Sequence, residues 1–194
     1  MTINEIVKPF TAYFSLNNGL SDNKPALRRF LSQMPGMYAD DEAFRAAIGE
    51  GDRLAYEFHE LGIPESDGNL AFGTSIVYPG KVGAEYYMTK GHYHNVLDTA
   101  EVYYCIGGHG LMLMENPEGE WDAQPFAPGN AVYVPGRYAH RSINTGKEPL
   151  ITFYVFRADA GHDYGTIETK GFRKIVVEDP DGGHPSIVDN PKWK

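Results

Sequence analysis

From Leu54 onward, apolar and polar residues alternate in short runs separated by glycine, proline, asparagine and aspartate. Alternation with period two over four to eight residues is the pattern of a strand with one buried face. It predicts strands over residues 54–59, 69–78, 85–89, 101–106, 111–115, 121–126, 131–134, 141–144 and 150–156, with one more over 172–178. Pro79-Gly80, Gly107-Gly108-His109-Gly110 and Glu115-Asn116-Pro117-Glu118-Gly119 supply the turn chemistry between them. Many short strands at this spacing indicate an all-β barrel or jelly roll.

The first fifty residues have another period. Leu27, Phe30, Leu31 and Met34 recur at helical spacing, with Pro25 tolerated in a first turn, which predicts a helix. Asp40 or Asp41 can cap a second helix carrying Phe44, Ala47 and Ile48 and ended by Gly49. Both helices are expected to pack on the outside of the barrel and to carry no chemistry. No repeat, linker or low-complexity stretch interrupts the chain. Residues 1–194 therefore read as a single domain with an N-terminal helical or extended segment of about fifty residues.

Composition narrows the function classes. The formal charge of −9 argues against a nucleic-acid binder, which needs basic surface to neutralise phosphates. An anionic small substrate stays admissible, because a local pocket can be positive on an acidic protein. Cys105 is the only cysteine, so no disulfide forms within the chain, and no activating partner marks it as a nucleophile. Met1-Thr2-Ile3-Asn4-Glu5 lacks the basic-then-apolar order of a secretory signal. No apolar run is long enough to span a bilayer. A cytoplasmic protein is expected.

The chemistry concentrates at Gly91-His92-Tyr93-His94 and the Glu101 that follows. In extended backbone, alternate side chains share a face, so His92 and His94 point one way and Tyr93 the other. If the residues between fold back as a turn, Glu101 lies beside both imidazoles. Pro135-Gly136-Arg137-Tyr138-Ala139-His140 offers a third imidazole from a distant strand, which a curled sheet can bring round. Three imidazoles and a carboxylate suit a divalent transition metal.

Gly107, Gly129, Pro135 and Asn144 fall around these ligands so that the chain resembles the cupin family, with its H-x-H…E…G and G…P…H-x-x-x-N motifs. The gap from His94 to Glu101 is longer than the common pattern, position 86 lacks its glycine, and Pro135-Gly136 has no spacer. Val77-Tyr78-Pro79-Gly80-Lys81-Val82-Gly83, Thr89-Lys90-Gly91-His92-Tyr93-His94, Ala100-Glu101-Val102-Tyr103, the stretch from Asp159 to Ile167 and the ending Val188-Asp189-Asn190-Pro191 resemble the archaeal-type, cupin glucose-6-phosphate isomerases. That resemblance implies a cupin double-stranded β-helix. It also implies a homodimeric, metal-dependent aldose–ketose isomerase interconverting glucose 6-phosphate and fructose 6-phosphate.

By the same resemblance, His92, His94, Glu101 and His140 match the metal ligands. The expected metal is one divalent ion per subunit, iron(II) first, with manganese, nickel or zinc also suited to such donors. Thr89 and Gly91 match positions near the substrate phosphate, with Ser75 where threonine is frequent and Lys90 beside them as a source of charge. Tyr56, Tyr103, His162 and Tyr164 match pocket positions, while Phe156 stands where a pocket tyrosine is expected. Glu101 is either the base that moves the C2 proton or only a ligand. His162 either assists ring opening, bonds a sugar hydroxyl or braces its loop. The stretch 158–167 is either a structured loop or a substrate lid, and Trp193 is a packing anchor.

Two other functions fit a cupin site. A non-haem iron dioxygenase also needs open metal positions and would consume oxygen with a thiol or diketone. A non-catalytic sugar-binding cupin would bind without turnover, but its regulators usually carry a DNA-binding domain, and none is visible here.

Overall fold

The computed structural model describes residues 8–193. Met1 to Glu5, on which the absence of a secretory signal was read, and Lys194 lie outside the described residues.

The first predicted helix is instead a strand, β1 (Leu27–Phe30), followed by a 3-10 turn over Leu31–Gln33. Pro35 cuts the apolar window to eight residues, too few for a helix to hold itself. Antiparallel pairing with β2 (Leu54–Glu60) satisfies the backbone better, with Leu27 opposite Phe58. Leu31 and Met34 still reach the core. The second helix, α1 (Asp41–Gly49), forms as expected. The Asp40 carboxylate accepts from the N–H groups of Glu42 and Ala43 at 2.9 Å, and Phe44 stacks on Tyr38.

The remaining strands are β3 (Leu70–Val77), β4 (Lys81–Val82), β5 (Glu85–Tyr86), β6 (Glu101–Gly107), β7 (Gly110–Glu115), β8 (Trp121–Phe126), β9 (Ala131–Val134), β10 (Ala139–Asn144), β11 (Leu150–Arg157), β12 (Lys174–Glu178) and β13 (Pro185–Asp189), with α2 (Gly165–Lys170) before β12. One sheet runs β1-β2-β3-β11-β6-β9, a second β10-β7-β8, and a third β13-β12-β5-β4. Every pairing is antiparallel. This is an all-β jelly roll, with a core of Cys105, Met112, Val132, Val134, Ala139 and Leu150. Alternation in β6 comes out as read: Glu101, Tyr103 and Cys105 are buried, while Val102 and Tyr104 are exposed.

Other strand limits differ as well. The strand expected over 85–89 stops at Tyr86, and the chain crosses to β10 through a bridge between Met88 and Ile143. The unpredicted β13 closes a hairpin on β12 around Asp179-Pro180-Asp181-Gly182-Gly183, a turn signal that implied a returning strand. Among the described residues, no helix is long and apolar enough to cross a membrane.

Candidate metal centre and substrate cavity

Three separate segments bring the four metal candidates together. The H-x-H segment is extended, with bridges pairing His92 to His140 and Tyr93 to Asp163. His92 and His94 thus share a side, and Tyr93 is buried on the other. Asn95 to Asp98 turn back, and Thr99 N–H closes that turn on the Val96 carbonyl. Glu101 then opens β6 opposite Val134 of β9 and Phe156 of β11. Position 136 must be glycine to fit against this turn: a Cβ there would lie 2.7 Å from the Asp98 backbone.

One ligand atom from each of His92, His94, Glu101 and His140 falls within 4.8 Å of the others. Nε2 of His140 is 2.9 Å and Nε2 of His94 is 3.2 Å from Oε2 of Glu101. The His94 ring is oriented from behind. Its Nδ1 lies 3.0 Å from the Thr99 carbonyl and 2.8 Å from the Thr99 hydroxyl, which itself donates to Val96. Nδ1–H must therefore be the donor, which leaves the Nε2 lone pair for the site. His140 Nδ1 meets the Tyr138 carbonyl at 3.3 Å and selects the same tautomer. The Nε2 atoms of His92 and His140 are buried without a hydrogen-bond partner. Converging lone pairs on two buried nitrogens, beside a carboxylate, are the donor set that a divalent transition metal satisfies.

Electrostatics agree. Burial, followed by the neighbouring His140 and His162, keeps the His92 imidazole neutral and available as a donor. Burial would raise the Glu101 carboxyl, but the facing His140 and His94 outweigh it and hold the group well below the usual carboxylate range.

The cavity above this cluster is lined by Tyr56, Ser75, Thr89, Lys90, Gly91, Tyr103, His162 and Tyr164, so all eight expected pocket residues gather there, with Phe156 among them. His94 does not reach this wall; it borders a second hollow on the far side, next to Asp163 and Arg173. The stretch 158–167 is a structured loop. Asp163 accepts from the Thr166 hydroxyl at 2.6 Å and starts α2, which sets His162 and Tyr164 over the cavity with rings 5.8 Å apart and nearly parallel. The His162 ring lies 4.4 Å from that of His92 and 5.3 Å from that of Phe156. Burial lowers the His162 pKa and pushes the Tyr164 hydroxyl up to about 12.

The chain matches the family described as Glucose-6-phosphate isomerase (GPI) over residues 27–193. It belongs to the glucose-6-phosphate isomerase family. A relative named glucose-6-phosphate isomerase from Thermococcus litoralis is 47% identical over 187 residues, 96% of this chain and 97% of that protein. One from Thermococcus onnurineus is 46% identical over 190 residues, 98% of this chain and 99% of that protein. A putative glucose-6-phosphate isomerase 1 from Rhizobium meliloti is 37% identical over 193 residues, 98% and 90% of the two chains. The family assignment thus spans the whole fold.

Sequence reasoning missed several members of the isomerase-family cavity. Phe58 and Glu60 on β2, Ser142 on β10 and Tyr154 on β11 also line it. Their signal was parity: Phe58, Ser142 and Tyr154 lie two residues, and Glu60 four, from a candidate on the same strand, namely Tyr56, His140 or Phe156. Thr99, which orients His94, was missed as well. Trp193, expected as a packing anchor, is exposed; the Arg173 guanidinium lies 4.0 Å from its ring.

Proposed function

We propose that the chain is a metal-dependent aldose–ketose isomerase interconverting glucose 6-phosphate and fructose 6-phosphate, a step of glycolysis and gluconeogenesis. The observation that carries this is the four-residue donor cluster, three of whose members, His92, Glu101 and His140, line a cavity shared with Ser75, Thr89 and Gly91. His92, His94, Glu101 and His140 hold one divalent ion, iron(II) first, with manganese, nickel and zinc as alternatives. Bound there, such an ion polarises the sugar carbonyl and acidifies the neighbouring C–H.

The chain's own residues divide the substrate between them. At the phosphate end, the Thr89 hydroxyl oxygen accepts from Ser142 N–H at 3.1 Å, so its proton is free to donate to a phosphate oxygen. Ser75 and the Gly91 N–H add donors. Lys90, paired with Glu168 at 2.9 Å, adds charge at the rim. At the sugar end, both imidazole contacts of Glu101 fall on Oε2, which leaves Oε1 to carry the proton between C2 and C1. His162, kept neutral by burial, serves ring opening through its ring nitrogens. Tyr56, Tyr103 and Tyr164 keep their protons because burial raises all three, and they act as hydrogen-bonding walls. Phe156 gives packing where a hydroxyl was expected, so no proton step is assigned to it.

A coupled assay on fructose 6-phosphate with stripped and metal-reloaded protein tests this reading. Turnover only after reloading is expected, and reloaded protein without turnover would overturn it.

The chain is further assigned as one cupin domain with residues 1–50 as an extension, working as a cytoplasmic homodimer without nucleic-acid or membrane partners. Val102 and Tyr133, opposite one another on β6 and β9, are exposed together with Tyr104 and offer apolar surface to a second copy. Light scattering is expected to give twice the chain mass, and monomer at working concentration would count against it.

A further inference from the structure

Arg141 is a buried cation with no carboxylate partner among the described residues. Its side chain lies behind β10, on the opposite side from His140 and Ser142, and is 2% exposed. One terminal nitrogen donates to the Lys90 carbonyl at 2.6 Å, and the other meets the Met88 sulfur at 2.9 Å. The guanidinium sits 4.1 Å from the Phe172 ring, and its Nε has no hydrogen-bond partner. The acidic neighbours on this side are Glu85 and Glu115. Each gives its Oε2 to a backbone N–H, of Ala39 and Arg173 respectively, and neither is bridged to Arg141. A buried charge left in this way is costly to the fold.

The Lys90 carbonyl shares its peptide unit with the Gly91 N–H. The unit is trans, so an N–H points away from its own carbonyl. Arg141 grips the carbonyl from behind, and the Gly91 N–H is turned the other way. That N–H makes no hydrogen bond among the described residues, and Gly91 lines the cavity. The backbone there is tightly seated: Gly91 has φ +76°, and a Cβ would lie 2.7 Å from Phe172 and 2.9 Å from the His140 carbonyl.

We propose that Arg141 is a positioning residue for the substrate phosphate. It fixes and polarises the Lys90–Gly91 peptide so that the Gly91 N–H is aimed at the phosphate dianion, and its own charge is balanced when that dianion binds. This rests on the sugar-phosphate reading of the cavity.

The test uses metal-reloaded Arg141→Met and Arg141→Lys, with metal content measured because His140 is adjacent. In Arg141→Met, KM for fructose 6-phosphate and the inhibition constant of inorganic phosphate should both rise about tenfold or more, the scale of a lost charge-assisted contact. Its kcat should stay within about threefold. Arg141→Lys, which keeps the charge and one donor, should fall between. Wild-type KM and phosphate inhibition in whichever variant folds would overturn the proposal. Should neither fold, the Gly91 amide in the wild-type holoenzyme decides it: its resonance should move as inorganic phosphate is titrated, and a stationary resonance would overturn it. Wild-type protein that binds phosphate without turning over fructose 6-phosphate would sink the isomerase reading and leave this one standing.

Discussion

Replacing Glu101 with glutamine separates proton transfer from metal holding. The residue is 3% exposed, and the facing His140 and His94 outweigh burial and hold its pKa well below the ordinary carboxylate range. Glutamine keeps the size and one oxygen but removes the charge and the basic site. A positioned base contributes about 10²–10⁴ in rate, or roughly 3–5 kcal/mol of barrier. If Glu101 carries the proton, kcat should fall by that factor even when excess metal restores full occupancy. If it only holds the metal, activity should track occupancy and recover on reloading. The assay is kcat at saturating metal, with metal content measured on the same sample. Turnover in deuterated water gives a second view: an enediol route lets product hydrogen exchange with solvent, and a strict hydride shift does not. Near-wild-type kcat in the fully metallated variant would refute the base assignment while leaving the isomerase assignment intact.

Glu85 makes a pH prediction. Burial first, only partly offset by the Ala39 N–H and Arg141, raises its pKa to about 7 from 4.5. The fold therefore holds a proton that the unfolded chain releases. The resulting stability is full below pH 4.5 and is lost as pH rises through about 7, a span worth about 3 kcal/mol. Glu85→Gln should gain on wild type in melts from pH 5 to 8, and a constant difference would refute the shift. Thr99→Val removes the hydroxyl behind His94 while leaving the carbonyl at 3.0 Å, so metal affinity should fall about tenfold. Competition against a chelator would show it, and unchanged affinity would mean the carbonyl suffices.

The metal candidates were legible because two simple rules converged. Residue type names the donors, and period-two alternation places His92 and His94 on one side of extended chain, with Glu101 returned to them by the turn over residues 95–98. The cavity wall was legible through resemblance for Tyr56, Ser75, Thr89 and Tyr164, but not for Glu60, Ser142 and Tyr154. Strand parity says which residues face inward, and only the pairing of β2, β3, β11 and β6 says which inward residues meet. The segment from Leu27 to Met34 misled because its apolar spacing fits both a helix and an edge strand followed by a tight turn. Long-range pairing with β2 decided it, and no local pattern carries that information. Arg141 was invisible for the same reason, since its importance lies in a carbonyl fifty-one residues away.

The most direct test of the central claim is a metal titration into stripped protein, following fructose 6-phosphate turnover. With His92, His94, Glu101 and His140 forming one centre, activity should start from nothing and rise linearly. It should then break at one equivalent per chain, and in His140→Ala that break should vanish. Turnover at the full rate in metal-free protein, or an unaltered break in His140→Ala, would contradict it.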